Sequence, residues 1–195
     1  LHEIEASSDP AEKSWENINA MDDVVKKIIS LDSHIVISAL YGAAGAGGAM
    51  MALAGDYVYC RKSLVINPHY RAMGLYGSEY WTYLLPKRVG KRQSIEMTHV
   101  ALPVSSREAK RIGMIDGVFS DEKQEFMKEL RTQAEYIATA DDFIVRREQK
   151  KLQRLNDERI KPLHAYRSEE LEQMKKKFFR TEFWGCQLSQ ISTSF

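Results

Sequence analysis

Two stretches of this 195-residue chain hold residues of types that can do chemistry. The first is ALYGAAGAGGAMMALAGDYVY, Ala39 to Tyr59, where glycine and alanine crowd together and Asp56 is the single charge. Residues without bulky side chains let backbone approach a partner closely. Gly42 to Gly48 reads G-x-x-G-x-G-G, between an apolar strand-like run and the start of a helix. The dinucleotide fingerprint needs G-x-G-x-x-G and a Walker loop ends in G-K-[ST]; this loop is neither. It offers no reactive side chain. Any chemistry here comes from backbone N–H groups at a helix start, aimed at an anion or an oxyanion. The alternative is tight helix packing.

The second stretch is NPHYRAMGLYGSEYWTY, Asn67 to Tyr83. Asn67-Pro68 is a turn able to aim His69 and Tyr70 into a pocket. Glu79 follows Gly77 at the expected start of a helix. The helix dipole would lower its pKa there, and burial against Tyr76, Tyr80 and Trp81 would raise it. A buried Glu79 is a candidate proton-transfer group; an exposed first-turn glutamate is the alternative. Tyr70, with an unperturbed pKa of about 10, donates a hydrogen bond or acts as an acid and is a poor base at neutral pH. His69 reads either as a catalytic imidazole or as a structural hydrogen-bonder. Tyr76, Tyr80, Trp81 and Tyr83 suit a dry pocket wall, and their helical spacing suits plain core equally.

The elements that must position these residues follow from periodicity. Trp15, Ile18, Met21, Val25, Ile28 and Ile29 recur at three and four, predicting a helix from Pro10 to Ser30 with Asp9 as its cap. His34 to Leu40 reads as a buried strand, Ala49 to Ala54 as a small-residue helix, and Asp56–Cys60 and Leu64–Ile66 as short strands. That order is α/β with crossover connections. Helices are then expected over Ser78–Leu85, stopped by Pro86, and over Gly90–His99. Ser105–Ile112 is a further helix, capped by a serine and closed by Gly113. Longer helices are expected over Ser120–Thr139, Asp141–Arg159 and Ser168–Phe179. The division is a core over 1–120 and a helical region over 121–195.

Composition is ordinary for a globular chain: 44% hydrophobic, 28% charged, net charge +1. Bulk charge therefore points to neither nucleic acid nor membrane. His2, His34, His69, His99 and His164 show no ligand spacing, so no metal is expected. Cys60 and Cys186 stand apart and read as free thiols of a reducing compartment. No signal peptide opens the chain and no apolar run reaches the ~18 residues of a membrane span, so a soluble cytoplasmic protein is expected. The first residue is Leu1 rather than Met, and a piece of a longer protein is expected.

GAAGAGGAMMALAGDYVYCRKSLVINPHYRAMGLYGSEYW, followed by LPKRVG, resembles the enoyl-CoA hydratase/isomerase (crotonase) superfamily. PVSSREAKRIGMIDGVF extends the likeness through Ser106, Ala109, Gly113, Ile115 and Asp116, so it spans roughly Asp9 to Phe119. The resemblance implies an α/β, crotonase-like (ClpP/crotonase) spiral of ββα units. Here it would be N-terminally incomplete and carry a helical C-terminal extension. It implies an acyl-CoA substrate held by two backbone N–H donors, of which Gly47 is one, with Gly45 and Gly48 clearing its space. The other donor would lie upstream of residue 1. The two glutamates of a hydratase align with Met50 and Tyr70, which disfavours two-carboxylate water addition, and Tyr70 inherits an acid/base slot. Glu79 falls where other members keep a second carboxylate.

A narrower likeness, through SWENINAMDDVV, NPHYRAMGLYGSEYWTY and AYRSEELEQMKKKFF, is to the crotonase-like domain of hydrogenase-maturation proteins of the HypX/HoxX family. It implies a lyase that releases carbon monoxide and coenzyme A from formyl-CoA. The implied partner is a formyltransferase-like N-terminal half, or a second copy of the chain. A hydratase/isomerase and a non-catalytic crotonase-like scaffold stay open beside it. The basic run Arg146, Arg147, Lys150, Lys151, Arg154, Arg159 and Lys161, and Lys175 to Lys177, read as a solvated face or as contacts to a CoA phosphate or an acidic partner. After Phe179, RTEFWGCQLSQISTSF departs from the family's usual ending.

Overall fold

A computed structural model of the chain describes residues 2–179. A short helix, α1 (His2–Glu5), precedes the long helix α2 (Pro10–Ile29). The Asp9 carboxylate accepts the Glu12 N–H at 3.0 Å, and Pro10 opens the helix as its missing donor allows. The apolar stripe of α2 buries Ile18, Val25 and Ile29, and Asp22 lies buried in the same stripe.

The β-branched run after α2 forms β1 (Ile37–Leu40), shorter than the expected His34–Leu40. The chain then crosses to a second sheet for two residues, β2 (Ala44–Gly45), within the glycine loop. Helix α3 (Ala46–Leu53) starts three residues ahead of its expected start at Ala49, because the small residues of the loop already sit in its first turn. Strands β3 (Tyr57–Arg61) and β4 (Val65–Asn67) follow, one in each sheet. Helices α4 (Trp81–Val89) and α5 (Lys91–Val100) come next, then β5 (Val104–Ser105), α6 (Ser106–Arg111) and β6 (Gly117–Phe119).

One sheet runs β1-β3-β6, all parallel; the other runs β2-β4-β5, with β4 parallel to β2 and antiparallel to β5. The first two turns of the chain each lay a strand in each sheet and close with helix, the ββα spiral that the resemblance implied, and in the third α6 stands between β5 and β6. Val58, Cys60 and Ile66 from the strands and Ala49, Met50 and Leu53 from α3 fill the core. The α6 cap is as expected: Ser105 Oγ accepts the Glu108 N–H at 3.3 Å, and Gly113 has φ +77°.

Helix α4 departs from expectation. It starts at Trp81 rather than Ser78 and carries Pro86 inside rather than ending there. Glu79 and Tyr80 have φ +59° and +58°, left-handed backbone that no right-handed helix can contain. Only from Trp81 does the helix run.

The remaining helices are α7 (Lys123–Thr139), α8 (Phe143–Ile160) and α9 (Leu163–Phe178), the last beginning five residues ahead of the expected Ser168. Helix α9 folds back onto α2 and α4. The basic run of α8 is used internally. Arg146 bonds Asp142 and the Tyr57 hydroxyl, Lys150 bonds Asp56 and the His34 carbonyl, and Arg154 bonds the Tyr83 hydroxyl and Glu158. These three cations tie α8 to the core, while Lys151 and Arg159 of the same run are exposed, so the run is a solvated face only in part. Cys60 is a free, buried thiol whose pKa burial pushes up to about 11. Cys186 and the tail after Phe179 lie outside the described residues. Among those described, no helix is long and apolar enough to cross a membrane.

Candidate active site

Gly45 of β2 pairs in register with Asn67 of β4, so the glycine loop and the Asn67-Pro68 turn are neighbours. The turn carries Tyr70 into the interior, where its hydroxyl lies 2.7 Å from Glu79 Oε2 and 3.1 Å from the Ser78 carbonyl. A single hydroxyl proton can serve only one acceptor at a time. With Glu79 ionised, Tyr70 donates to the carboxylate. With Glu79 protonated, Glu79 donates to Tyr70, which turns its own proton to the Ser78 carbonyl. The pair accommodates both charge states of Glu79 without moving a heavy atom.

Glu79 is 3% exposed, which settles the sequence alternative against an exposed first-turn residue. It also precedes the α4 cap, Tyr80, instead of sitting in the first helical turn. Burial dominates its titration and holds its pKa above the ordinary carboxylate range, against the pull of the Tyr70 hydrogen bond. Tyr70 is pushed well above its ordinary value by burial and by the Glu79 charge beside it. Tyr70 therefore stays a protonated donor, and Glu79 is the member of the pair that changes charge.

Gly47, the second residue of α3, backs directly onto this pair. A β-carbon on Gly47 would come within 2.6 Å of Glu79 Oε1 and 2.9 Å of the Met21 methyl. Gly45, the helix cap, provides no side-chain hydrogen bond, so the first-turn N–H groups of α3 are not capped locally. Gly48 is exposed, with open space where a β-carbon would stand. Amides at a helix start beside a buried carboxylate form a polar corner of the kind that stabilises a developing oxyanion.

The other expected residues divide. Met50 is fully buried in the core and supplies no second carboxylate. His69 is buried, burial lowers its pKa, and among the described residues neither ring nitrogen has a hydrogen-bond partner. Within that set it is a neutral imidazole unconnected to Tyr70 or Glu79. The aromatic cluster is not one wall. Tyr76 is exposed and packs edge-on against half-buried Trp81, with ring centroids 5.5 Å apart. Tyr80 and Tyr83 belong to the core, Tyr83 also donating to Asp157 at 2.7 Å.

Two acids not singled out from the sequence meet the same loop. Asp22 Oδ1 accepts the Glu79 N–H at 2.7 Å, and Glu170 Oε1 of α9 accepts the Thr82 N–H at 2.8 Å together with the Thr82 hydroxyl. Both are fully buried, and burial pushes Asp22 up to about 6 and Glu170 up to about 8. The sequence signal was available. Asp22 continues the stripe Ile18–Val25–Ile29, and Glu170 lies in line with buried Leu163 and Met174. Among the described residues, no group of three or more His, Cys, Asp or Glu could hold a metal ion.

The chain belongs to the enoyl-CoA hydratase/isomerase family, whose sequence model matches residues 3–183. Within it, the chain is 43% identical over 180 residues to the hydrogenase maturation factor HoxX of Bradyrhizobium diazoefficiens, covering 92% of this chain and 32% of that protein. It superposes with a TM-score of 0.86 on HypX from Aquifex aeolicus crystallised with tetrahydrofolic acid, at 42% identity, covering 92% of this chain and 32% of the other. A shorter likeness, 30% over 103 residues, is to the 1,2-epoxyphenylacetyl-CoA isomerase of Escherichia coli and covers 50% of this chain and 39% of that one. The enoyl-CoA hydratase of Bacillus halodurans shares the fold, with a TM-score of 0.74 at 22% identity, over 92% of this chain and 69% of the other. The chain spans about a third of the length of the curated relatives it matches.

Proposed function

We propose that this chain is the CoA-thioester-processing part of a hydrogenase-maturation protein, and that its reaction is decarbonylation of formyl-CoA to carbon monoxide and coenzyme A. The observation that carries the reading is the buried Tyr70–Glu79 pair against Gly47, with Met50 in place of a second carboxylate. Water addition across a double bond calls for two groups to handle one water. Decarbonylation calls for one base and one donor.

In this reading the thioester carbonyl oxygen accepts from the Gly47 N–H and from a further donor outside these residues. Ionised Glu79 removes the formyl proton. The C–H electron pair becomes the carbon lone pair of carbon monoxide as the C–S bond breaks, and its electrons leave on the CoA thiolate. The thiolate takes back a proton from the Glu79–Tyr70 pair, so the site ends as it began. Burial, by raising the Glu79 pKa, makes it a stronger base than an exposed carboxylate, and the apolar surroundings keep out water that would hydrolyse the thioester. The likeness to HoxX and HypX supports the biological setting. A tetrahydrofolate-derived formyl donor and a formyltransferase-like half belong to the same proposal, as does a second copy of the chain as partner.

The test supplies formyl-CoA to the complete protein and traps carbon monoxide on a reporter haem. Glu79→Gln is expected to lower release by about 10²- to 10⁴-fold, the usual contribution of a positioned acid–base group. Undiminished release in that variant rejects Glu79 as the base. Turnover of enoyl-CoA but not formyl-CoA would favour a hydratase/isomerase, and turnover of neither a non-catalytic scaffold.

A further inference from the structure

The segment that carries Glu79 is held in an unusual way. Between Gly77 and Tyr80 the backbone takes positive φ at Gly77 (+101°), Glu79 (+59°) and Tyr80 (+58°). For glutamate and tyrosine this conformation is costly and persists only where surroundings over-determine it. The surroundings here are side chains from two distant helices. The Gly77 N–H points at Met174 Sδ of α9, the Glu79 N–H at Asp22 of α2, and the Thr82 N–H at Glu170 of α9. A local cap is impossible, because the cap residue is Tyr80, in left-handed conformation and without a capping side chain. Capping of α4 is therefore delegated to Glu170.

We propose that Asp22 and Glu170 are positioning residues for Glu79: two buried carboxylates, gripping the backbone on either side of it, that fix its side chain against Tyr70 and Gly47. The inference rests on the reading of Glu79 as the reacting carboxylate.

Burying two acids to hold two amides is expensive, and a segment that needed only packing would not require it. The compensation is partial. Arg167 Nε lies 3.6 Å from Asp22 Oδ2, and the same guanidinium reaches Asp23 and the Asn19 carbonyl of α2. Among the described residues, Glu170 Oε2 has no hydrogen-bond partner, and of the acids converging on the loop Asp22 alone faces a cation. Burial raises the Glu170 pKa to about 8, so near neutral pH its protonated form dominates and it acts as a neutral acceptor. Asp22 is the charged clamp and Glu170 the neutral one. The two carboxylates reach the loop from opposite ends of the chain, 57 residues before Glu79 and 88 after Thr82.

The test uses the complete protein with residue-resolved hydrogen-exchange mass spectrometry over 77–85, alongside kcat and KM for formyl-CoA. In the wild type, the Glu79 and Thr82 amides are expected to exchange at least about 100-fold more slowly than unstructured chain; free exchange there overturns the proposal without any variant. Asp22→Ala is expected to release the Glu79 amide and to lower kcat about 10- to 100-fold, the effect of an ångström-scale misplacement, with KM changed less than about threefold. Asp22→Asn and Glu170→Gln keep the acceptor oxygen and are expected to restore both readouts to near the wild-type level. If Asp22→Ala does not fold, the proposal still fails should Asp22→Asn release the amide. A released amide with unchanged kcat also overturns it. Full activity in Glu79→Gln would instead reject the reading of Glu79 while leaving the exchange results standing.

Discussion

Tyr70 and Glu79, nine residues apart in the chain, meet through a 2.7 Å hydrogen bond inside the protein, and the Ser78 carbonyl waits 3.1 Å from the same hydroxyl. The relationship fixes what each partner can do. The tyrosine is a switchable donor, and the glutamate is the titrating group.

Removing that hydrogen bond moves the titration in a defined direction. The Tyr70 bond lowers the Glu79 pKa against the larger upward effect of burial. In Tyr70→Phe the Glu79 pKa rises further. A base works only when ionised, so the acid limb of the kcat/KM profile is expected to move to higher pH. The rate at neutral pH should fall about 10- to 100-fold, as for loss of a hydrogen bond to a charged group. An unmoved acid limb would separate Tyr70 from the titrating group.

Gly47 is expected to tolerate no side chain. In Gly47→Ala the new methyl overlaps Glu79 Oε1 and the Met21 methyl. The carboxylate must swing off Tyr70 or the helices must part, at a cost of about 1–3 kcal/mol. Activity is expected to drop with it. A matched Gly48→Ala, where the space is open, should leave Tm within a few degrees.

Stability is expected to fall as pH rises from 5 to 8. Burial raises the folded-state pKa of Glu170 to about 8. Between its ordinary value and 8 the unfolded chain loses a proton that the folded chain keeps, so the folded state binds more protons and loses stability with increasing pH. Asp22, raised to about 6, adds the same sign over a lower and narrower window. Glu170→Gln removes the larger part. It should raise Tm at pH 8 more than at pH 5, and a pH-independent change would contradict the assignment.

Installing the missing hydratase glutamate is expected to fail. Met50 is fully enclosed by core residues, so Met50→Glu buries an unpaired carboxylate and should cost several kcal/mol, read by denaturant unfolding. No enoyl-CoA hydration should appear.

The alternation of strands and helices was legible because it follows from apolar periodicity and from glycine spacing, whereas the ββα spiral was implied by the family resemblance alone. So were the Asp9 and Ser105 caps, whose signals are local. The left-handed pair Glu79–Tyr80 was not legible. Nothing in those residue types requests positive φ, and the conformation is imposed by Asp22 and Glu170 from remote helices. That imposition also displaced the start of α4 and moved Glu79 out of the helix dipole into the interior. His69 misled for the opposite reason: an imidazole's residue type says much about what it can do and little about whether a partner reaches it.

The grip of α9 on the glutamate loop has a consequence for the order of events during synthesis. Every strand, the glycine loop and Tyr70 are translated by residue 119, yet the amide of Thr82 finds its acceptor only at residue 170. On the ribosome the nascent domain can collapse around its sheets while the loop that carries Glu79 is still unset. Under the proposed function, that loop takes its working shape only once α9 has emerged and folded back, so a half-made chain would present no finished site to a reactive thioester.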